Sequence, residues 1–209
     1  MAIDDLLDEH EQSERVLSWL RANGAGLIGG IALGLAAIGG WKWWGNQQVQ
    51  QSVQAAGQYQ AAVDAIQAKD KAAAAKVAAL PESAYRTLAA LDLAKMQVDG
   101  AQRDAAIATL RSIKTDDAAI AEIVSQRLAR LLIDAKQPAE ALKLLSASTQ
   151  PLAIEVRGDA QFALGKQDLA RKEYTDALAK LDEASPRRRL LELKLTEAGG
   201  TPAKPEAKS

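Results

Sequence analysis

One long apolar segment dominates the hydrophobic pattern near the start of the chain. From Ala22 to Trp41 the sequence carries no charged residue over twenty positions. At about 1.5 Å of rise per helical residue, a helix of this length crosses a hydrocarbon core of about 30 Å. All four tryptophans lie beside its two ends, where indole rings settle at a membrane surface: Trp19, Trp41, Trp43 and Trp44. We predict a transmembrane helix over residues 22–44.

Two other interpretations of this segment fit the sequence less well. A buried helix of a soluble domain usually has a shorter apolar run and would not collect every tryptophan at its ends. A cleaved signal peptide requires a basic leader. The leader here is acidic: Asp4, Asp5, Asp8, Glu9, Glu11 and Glu14. An uncleaved signal anchor fits best.

The cations that flank the segment predict its orientation. Arg15 and Arg21 precede it, whereas Lys42 alone follows it closely. Because lysine and arginine are retained on the cytoplasmic side, this bias favours a cytoplasmic leader over residues 1–21. The body of the chain, which begins at residue 45, is then exported.

Three glycines recur every fourth residue within the apolar segment, at Gly26, Gly30 and Gly34. This spacing places them on one helical face, where a second helix can approach closely. The segment contains further glycines at other positions, so the pattern is equally consistent with a general tolerance of glycine. We therefore expect either a helix-packing face or no specific partner at these three residues.

An internal period is the strongest signal in the body. Three sets of residues keep the same offsets of twelve and sixteen: Ala94, Ala106 and Leu110; Ala129, Ala141 and Leu145; Gly158, Ala170 and Tyr174. Small residues at the first two positions let paired antiparallel helices approach, and the larger third residue fills the space beside them. Gly100, Pro138 and Gly165 mark the turns between the paired helices.

These units resemble the tetratricopeptide repeat of about 34 residues, although the first two lack its aromatic positions. A helix rich in glutamine and alanine leads from the membrane into them, and Asp116 and Asp117 are expected to begin a helix at Ala118. We predict an all-α chain: one transmembrane helix, then an irregular tetratricopeptide-like solenoid over residues 45–195 and a disordered tail over 196–209. A plain helical bundle is the alternative for the body.

The composition excludes several classes of function. The chain has no cysteine, a net charge of -1 and a single histidine, His10, which lies in the leader. It therefore offers no thiolate metal site, no basic stripe for nucleic acid, and no imidazole in the body for acid–base catalysis. We expect a binding protein without catalytic residues, metal or cofactor.

The first helices of stacked repeats line a curved inner surface that typically binds peptides or proteins. The repeat register assigns nine residues to this candidate groove: Leu91, Lys95, Val98, Gln126, Arg130, Ile133, Glu155, Asp159 and Phe162. Their mixed apolar and charged character is suited to a protein segment. The charged members are equally compatible with a solvated helix face.

Several stretches resemble the ancillary subunit family of the bacterial SecYEG translocon. They include GLIGGIALGLAAIGGWKWWGNQQVQQ, AYRTLAALDLAK, SQRLARLLIDAKQPAEALKLL and AIEVRGDAQFALGKQDLARKEYTDAL. The likeness runs from about Glu9 to Leu195, and its most distinctive part lies between Arg157 and Arg171.

The resemblance implies a single-pass protein of the bacterial inner membrane, with a periplasmic repeat domain that passes exported proteins from SecYEG to periplasmic chaperones. It also implies restraint of a cytoplasmic response regulator through the leader, and no catalytic residues. The apolar anchor itself predicts contact with membrane lipid. From the residues alone, a scaffold of another envelope assembly, such as a division or outer-membrane complex, stays open.

Overall fold

We analysed a computed structural model of the chain, which describes the backbone of residues 4–202 and the side chains of residues 13–202. Within these residues the chain forms nine α-helices and no strand. Their bounds are α1 Asp4–Gln67, α2 Ala73–Ala78, α3 Ala84–Asp99, α4 Arg103–Ser112, α5 Ala118–Asp134, α6 Pro138–Leu144, α7 Pro151–Ala163, α8 Gln167–Lys180 and α9 Arg188–Glu197. The all-α prediction is confirmed.

The chain divides into two compact units, of which the first ends at Gln54 and the second begins at Ala55. The predicted span 22–44 lies inside α1, and no helix boundary separates it from residues 4–21 or from the glutamine-rich stretch. Among the described residues, the helix that contains it is the one that is long and apolar enough to cross a membrane. Its large apolar side chains are exposed, as lipid contact requires.

In the second unit the predicted small-residue sets lie where helices meet. Ala106, Ala129, Ala141 and Ala170 are completely buried, and Leu110, Leu145 and Tyr174 fill the space beside them. The sets join α3 to α4, α5 to α6, and α7 to α8, and the next pair packs against the one before it. The repeat prediction is therefore confirmed in all three helix pairs.

The turn between the paired helices has one backbone geometry throughout. Ala101, Lys136 and Gly165 each adopt a positive φ, of 58°, 63° and 72°, seven residues after Ala94, Ala129 and Gly158. Each N–H donates to the carbonyl three residues earlier, and the following N–H reaches five residues back, which closes the helix end. Gly100 ends α3 as predicted, but the left-handed residue is its neighbour Ala101.

The sequence pattern did not predict an earlier helix pair, formed by the end of α1 and α2. Lys69 has a φ of 53° and closes the end of α1 in the same way, seven residues after the fully buried Ala62. The buried residues of α2, Ala73 and Val77, follow Ala62 by eleven and fifteen positions, one fewer than in the later pairs. A search for equal offsets therefore misses this unit.

The last helix corrects the predicted boundary at residue 195. α9 continues to Glu197, and Ala198 is completely buried. It packs with Leu191 and Leu195 in an apolar cluster that also contains Ile154, Tyr174 and Leu178. Residues 196–198 thus belong to the folded unit, and the rest of the predicted disordered tail from 203 onward lies outside the described residues.

Capping explains where two of the helices begin. The Asp117 carboxylate accepts hydrogen bonds from the N–H groups of Ala119 at 2.8 Å and Ile120 at 3.1 Å, as the sequence predicted for the start of α5. The Ser83 hydroxyl accepts one from the N–H of Arg86 at the start of α3. These caps fix the ends of the two helices that border the candidate groove.

Candidate protein-binding groove and membrane anchor

The structure brings four of the nine candidate groove residues together around one cavity. Leu91, Lys95 and Val98 approach it from α3, and Arg130 approaches it from α5. The cavity has a volume of about 250 Å³ and is also lined by Ala94, Leu110, Arg127 and Leu131. It separates part of α3 from α5, whereas α5 packs directly against α7. We call this cavity and its lining the α3–α5 groove.

Two candidates on α5 are placed elsewhere. Gln126 is buried, and its amide donates a hydrogen bond to Oε1 of Glu122 at 2.9 Å. That carboxylate also accepts one from the hydroxyl of Ser148 at 2.6 Å, which links α5 to the loop before α7. Ile133 is half-buried and packs against the central apolar cluster. Both residues stabilise the repeat and neither lines the α3–α5 groove.

The three candidates on α7 lie beneath or beside α9. Glu155 is only 3% exposed, and its carboxylate accepts hydrogen bonds from Lys194 at 2.7 Å and from Arg187 at 3.2 Å. Lys194 also donates to Asp159 at 2.7 Å. Phe162 packs against the cluster formed by α7, α8 and α9. The part of the predicted groove that lies on α7 is therefore covered by α9.

The electrostatics of this cluster follow from its burial and its partners. Burial alone would raise the pKa of Glu155, but the hydrogen bond and charge of Lys194, with the charges of Arg187 and Arg130, outweigh it and hold this pKa below 4.5. Burial and the neighbouring Asp159 carboxylate raise the pKa of Tyr174. The Tyr174 hydroxyl thus stays protonated and donates to Asp159 at 2.9 Å.

The distinctive segment from Arg157 to Arg171 holds four helices together. Arg157 bonds Glu173 of α8 at 2.9 Å and the carbonyls of Leu145 and Ser148 at 3.1 and 2.7 Å. At the other end, Arg171 donates to the carbonyl of Ala198 at 2.9 Å. These contacts give Arg157 and Arg171 a structural role at the two ends of the segment.

The predicted membrane residues all lie on exposed surface of α1. Trp41 and Trp44 contact each other edge to face at 6.2 Å, and Trp41 is 76% exposed. A Cβ added to Gly26, Gly30 or Gly34 would meet no atom within 4 Å beyond the local helix backbone. The glycine face is therefore open to a partner helix or to lipid, and its packing role stays a prediction.

The α3–α5 groove is lined by apolar and basic side chains. Among the residues whose side chains the structure describes, no group of three or more histidine, cysteine, aspartate or glutamate residues is placed to hold a metal ion. The α3–α5 groove combines an apolar floor with three cations, Lys95, Arg127 and Arg130. Sequence reasoning missed Arg127, whose signal was its position three residues before Arg130 on the same helix.

The fold and these surfaces define a helical-repeat protein that carries a membrane-spanning helix. A family model described as a tetratricopeptide repeat-like domain matches residues 17–200. The ancillary SecYEG translocon subunit of Escherichia coli (strain K12) is 31% identical over 197 residues, which cover 90% of this chain and 95% of that protein.

Two further relatives bear the same name. The protein from Haemophilus influenzae is 28% identical over 82% of this chain and 89% of its own length. The protein from Neisseria gonorrhoeae is 28% identical over 90% of this chain and 96% of its own length. The chain belongs to the family of ancillary SecYEG translocon subunits, and with the one candidate span found among its described residues it is a single-pass inner-membrane protein.

Proposed function

We propose that this protein is an accessory subunit of the Sec translocon that binds exported polypeptides or periplasmic chaperones through its repeat unit. The observation that carries the proposal is the likeness to the E. coli translocon subunit, which covers the anchor and the repeats together. The repeat unit supplies a surface of the kind that typically binds proteins. Its role is binding, with no catalytic step.

The proposed topology places the leader in the cytoplasm and the repeat unit in the periplasm. Arg15 and Arg21 on the leader side against Lys42 on the other support this orientation. A cytoplasmic leader would be positioned to contact a response regulator. The repeat unit would meet polypeptides as they leave the translocon and before they reach soluble chaperones.

We propose that the anchor contacts the translocon through the face that carries Gly26, Gly30 and Gly34. Ala37 lies on this face, three residues after Gly34, whereas Leu35 lies opposite it. The exposed apolar residues around the rest of the helix would contact lipid.

Site-specific photo-crosslinking in living cells tests this proposal. A benzophenone amino acid is placed at Ala37 in one strain and at Leu35 in a matched strain. We expect translocon subunits to be recovered from Ala37 and mainly lipid from Leu35. Recovery of a division or outer-membrane complex in place of translocon subunits would support the scaffold alternative and contradict the proposal.

A further inference from the structure

We propose that the α3–α5 groove binds a protein segment in which an apolar side chain stands next to carboxylates. This inference rests on the protein-binding role proposed above and adds to it a site and a partner chemistry. Three features of the groove support it: the shape of its floor, the sign of its charges and an unused hydrogen-bond donor of Arg130.

The floor of the groove fits one or two apolar side chains. Leu91, Val98, Leu110 and Leu131 contribute to it, and Val98 is 44% exposed. Its volume of about 250 Å³ is below the roughly 300–1,000 Å³ typical of small-molecule sites. Leu88, three residues before the buried Leu91 on the same helix, is 44% exposed and adds a further apolar side chain at the surface of α3. A protein segment can contact both the floor and Leu88.

The charges of the groove have one sign. Lys95, Arg127 and Arg130 line it, and no acidic residue does. Lys95 is paired with Asp99 one turn further along α3 at 3.0 Å, but both side chains are more than half exposed. Such a pair is weak and exchanges readily for another carboxylate. The groove is therefore complementary to an acidic partner.

Arg130 retains a donor that no described residue uses. Its Nη2 is buried and has no acceptor within the described part of the chain. Arg130 lies close enough to Glu155 for its charge to lower the pKa of that residue, but the Glu155 carboxylate is already held by Lys194 and Arg187. Because buried donors are normally satisfied, a small shift of the Arg130 side chain toward a carboxylate bound in the groove would give Nη2 the acceptor that it lacks.

A second cavity differs from the α3–α5 groove in the charges of its lining. It has a volume of about 280 Å³ and lies among α2, α3 and α4. Its lining includes both Glu82 and Arg86, which pair with each other at 2.8 Å. Lys114 also lines this second cavity, so its lining carries two cations and one acidic residue, whereas the α3–α5 groove carries three cations and no acidic residue.

Peptide binding to the full chain in phosphatidylcholine nanodiscs tests the inference. The probe is a short fluorescein-labelled peptide in which leucines alternate with aspartates, and the matched probe carries asparagine in place of aspartate. The test variant is Lys95→Glu with Arg127→Glu. The control is Lys143→Glu with Arg189→Glu, which makes the same charge change at exposed positions outside the groove.

We expect the test variant to bind the aspartate peptide about tenfold more weakly or worse, and the control to stay within about twofold of the wild type. Val98→Asp should weaken binding similarly, while Leu169→Asp on α8 should not. Equal losses in both double variants, or equal affinity for the two peptides, would overturn the proposal.

Phosphatidylglycerol in the nanodiscs addresses a lipid ligand. If lipid were the ligand, phosphatidylglycerol would then compete with the peptide for the groove: it would abolish peptide binding by the wild type and leave the weak binding by the test variant unchanged. That result would show that the groove is a lipid site, and the proposal would fail. Crosslinking from Ala37 to the translocon is measured independently. Peptide binding without crosslinking would show that the proposed translocon contact is wrong. Crosslinking without peptide binding would show that the proposed groove is wrong.

Discussion

Nζ of Lys194 lies 2.7 Å from Oε1 of Glu155, and this buried ion pair joins α9 to α7 across 39 residues of sequence. The same ammonium group bonds Asp159, whose other oxygen accepts from the Tyr174 hydroxyl. α9 thus closes the repeat unit at its end. The accessible part of the candidate groove is confined to the earlier repeats, around α3 and α5.

Replacement of Lys194 by methionine should destabilise the end of the repeat unit. The change leaves the buried Glu155 carboxylate with a single hydrogen-bonded cation, Arg187, and we expect a loss of about 2–4 kcal/mol in the free energy of unfolding at neutral pH. Urea titration of the full chain in detergent, followed by hydrogen exchange in α9, measures it. Lys172→Met, which removes the exposed Lys172–Asp176 pair, is the control and should leave the urea midpoint unchanged.

The pH dependence of stability tests the same cluster. Because folding holds the pKa of Glu155 below 4.5, the unfolded chain binds more protons in the acidic range. The stabilisation is fully present above the unfolded pKa and is lost as the pH falls through the folded pKa. We expect the urea midpoint for unfolding, followed by hydrogen exchange in α9, to decrease in the wild type as the pH is lowered below about 4.5. The decrease should be smaller in Lys194→Met. An equal fall in both would contradict this assignment.

The contact between Gly158 and Tyr174 leaves no room for a side chain. A Cβ on Gly158 would clash with Cε1 of the Tyr174 ring. We expect Gly158→Ala to lower the free energy of unfolding by about 1–3 kcal/mol, because the packed ring must move. Gly57→Ala is the control, since nothing lies within 4 Å of its Cβ, and it should be neutral or slightly stabilising. Similar stability of both variants in urea would argue against close packing of α7 on α8.

The recurrent left-handed turn gives opposite effects at equivalent positions. Ala101→Gly should stabilise the chain by about 1 kcal/mol, because glycine adopts the positive φ without steric cost. Gly165→Ala should destabilise it by a similar amount for the converse reason. Urea midpoints of the two variants, measured against the wild type, check the prediction. A shift of the same sign in both would show that the turn geometry does not govern their stability.

Larger side chains on the glycine face of the anchor test whether this face contacts the translocon. Replacing Gly26, Gly30 and Gly34 together with leucine should reduce translocon co-purification about tenfold, because the larger side chains keep a partner helix from approaching closely. Gly24→Leu with Gly39→Leu, on the opposite face, should leave it unchanged. An equal reduction in both sets would favour general glycine tolerance over a specific face.

The sequence predicted what depends on local pattern. The uncharged segment from Ala22 to Trp41 and the small residues at Ala94, Ala129 and Gly158 each signal a helix or a close helix contact through periodicity alone. The cap at Asp117 was visible for the same reason. These signals suffice for the fold class and for three of the helix pairs.

The remaining features depend on contacts that spacing does not encode. Glu155 and Lys194 form their pair only because α9 returns beside α7, so a residue expected in the groove is buried instead. The pair at Ala62 and Ala73 was missed because its turn is one residue shorter. Arg127 lies one helical turn from Arg130, but which face of α5 borders the cavity depends on the packing of α3 and α5, so Arg127 rather than Gln126 lines it.

The most direct test of a membrane anchor that delivers the repeat unit to the periplasm uses the absence of cysteine from the chain. Single cysteines are introduced at the exposed positions Ser13, before the span, and Ser146, at the end of α6. Intact spheroplasts are then treated with a membrane-impermeant maleimide. We predict labelling at Ser146→Cys in intact spheroplasts and at Ser13→Cys only after permeabilisation; the reverse pattern, or labelling of neither until permeabilisation, would contradict the proposed topology.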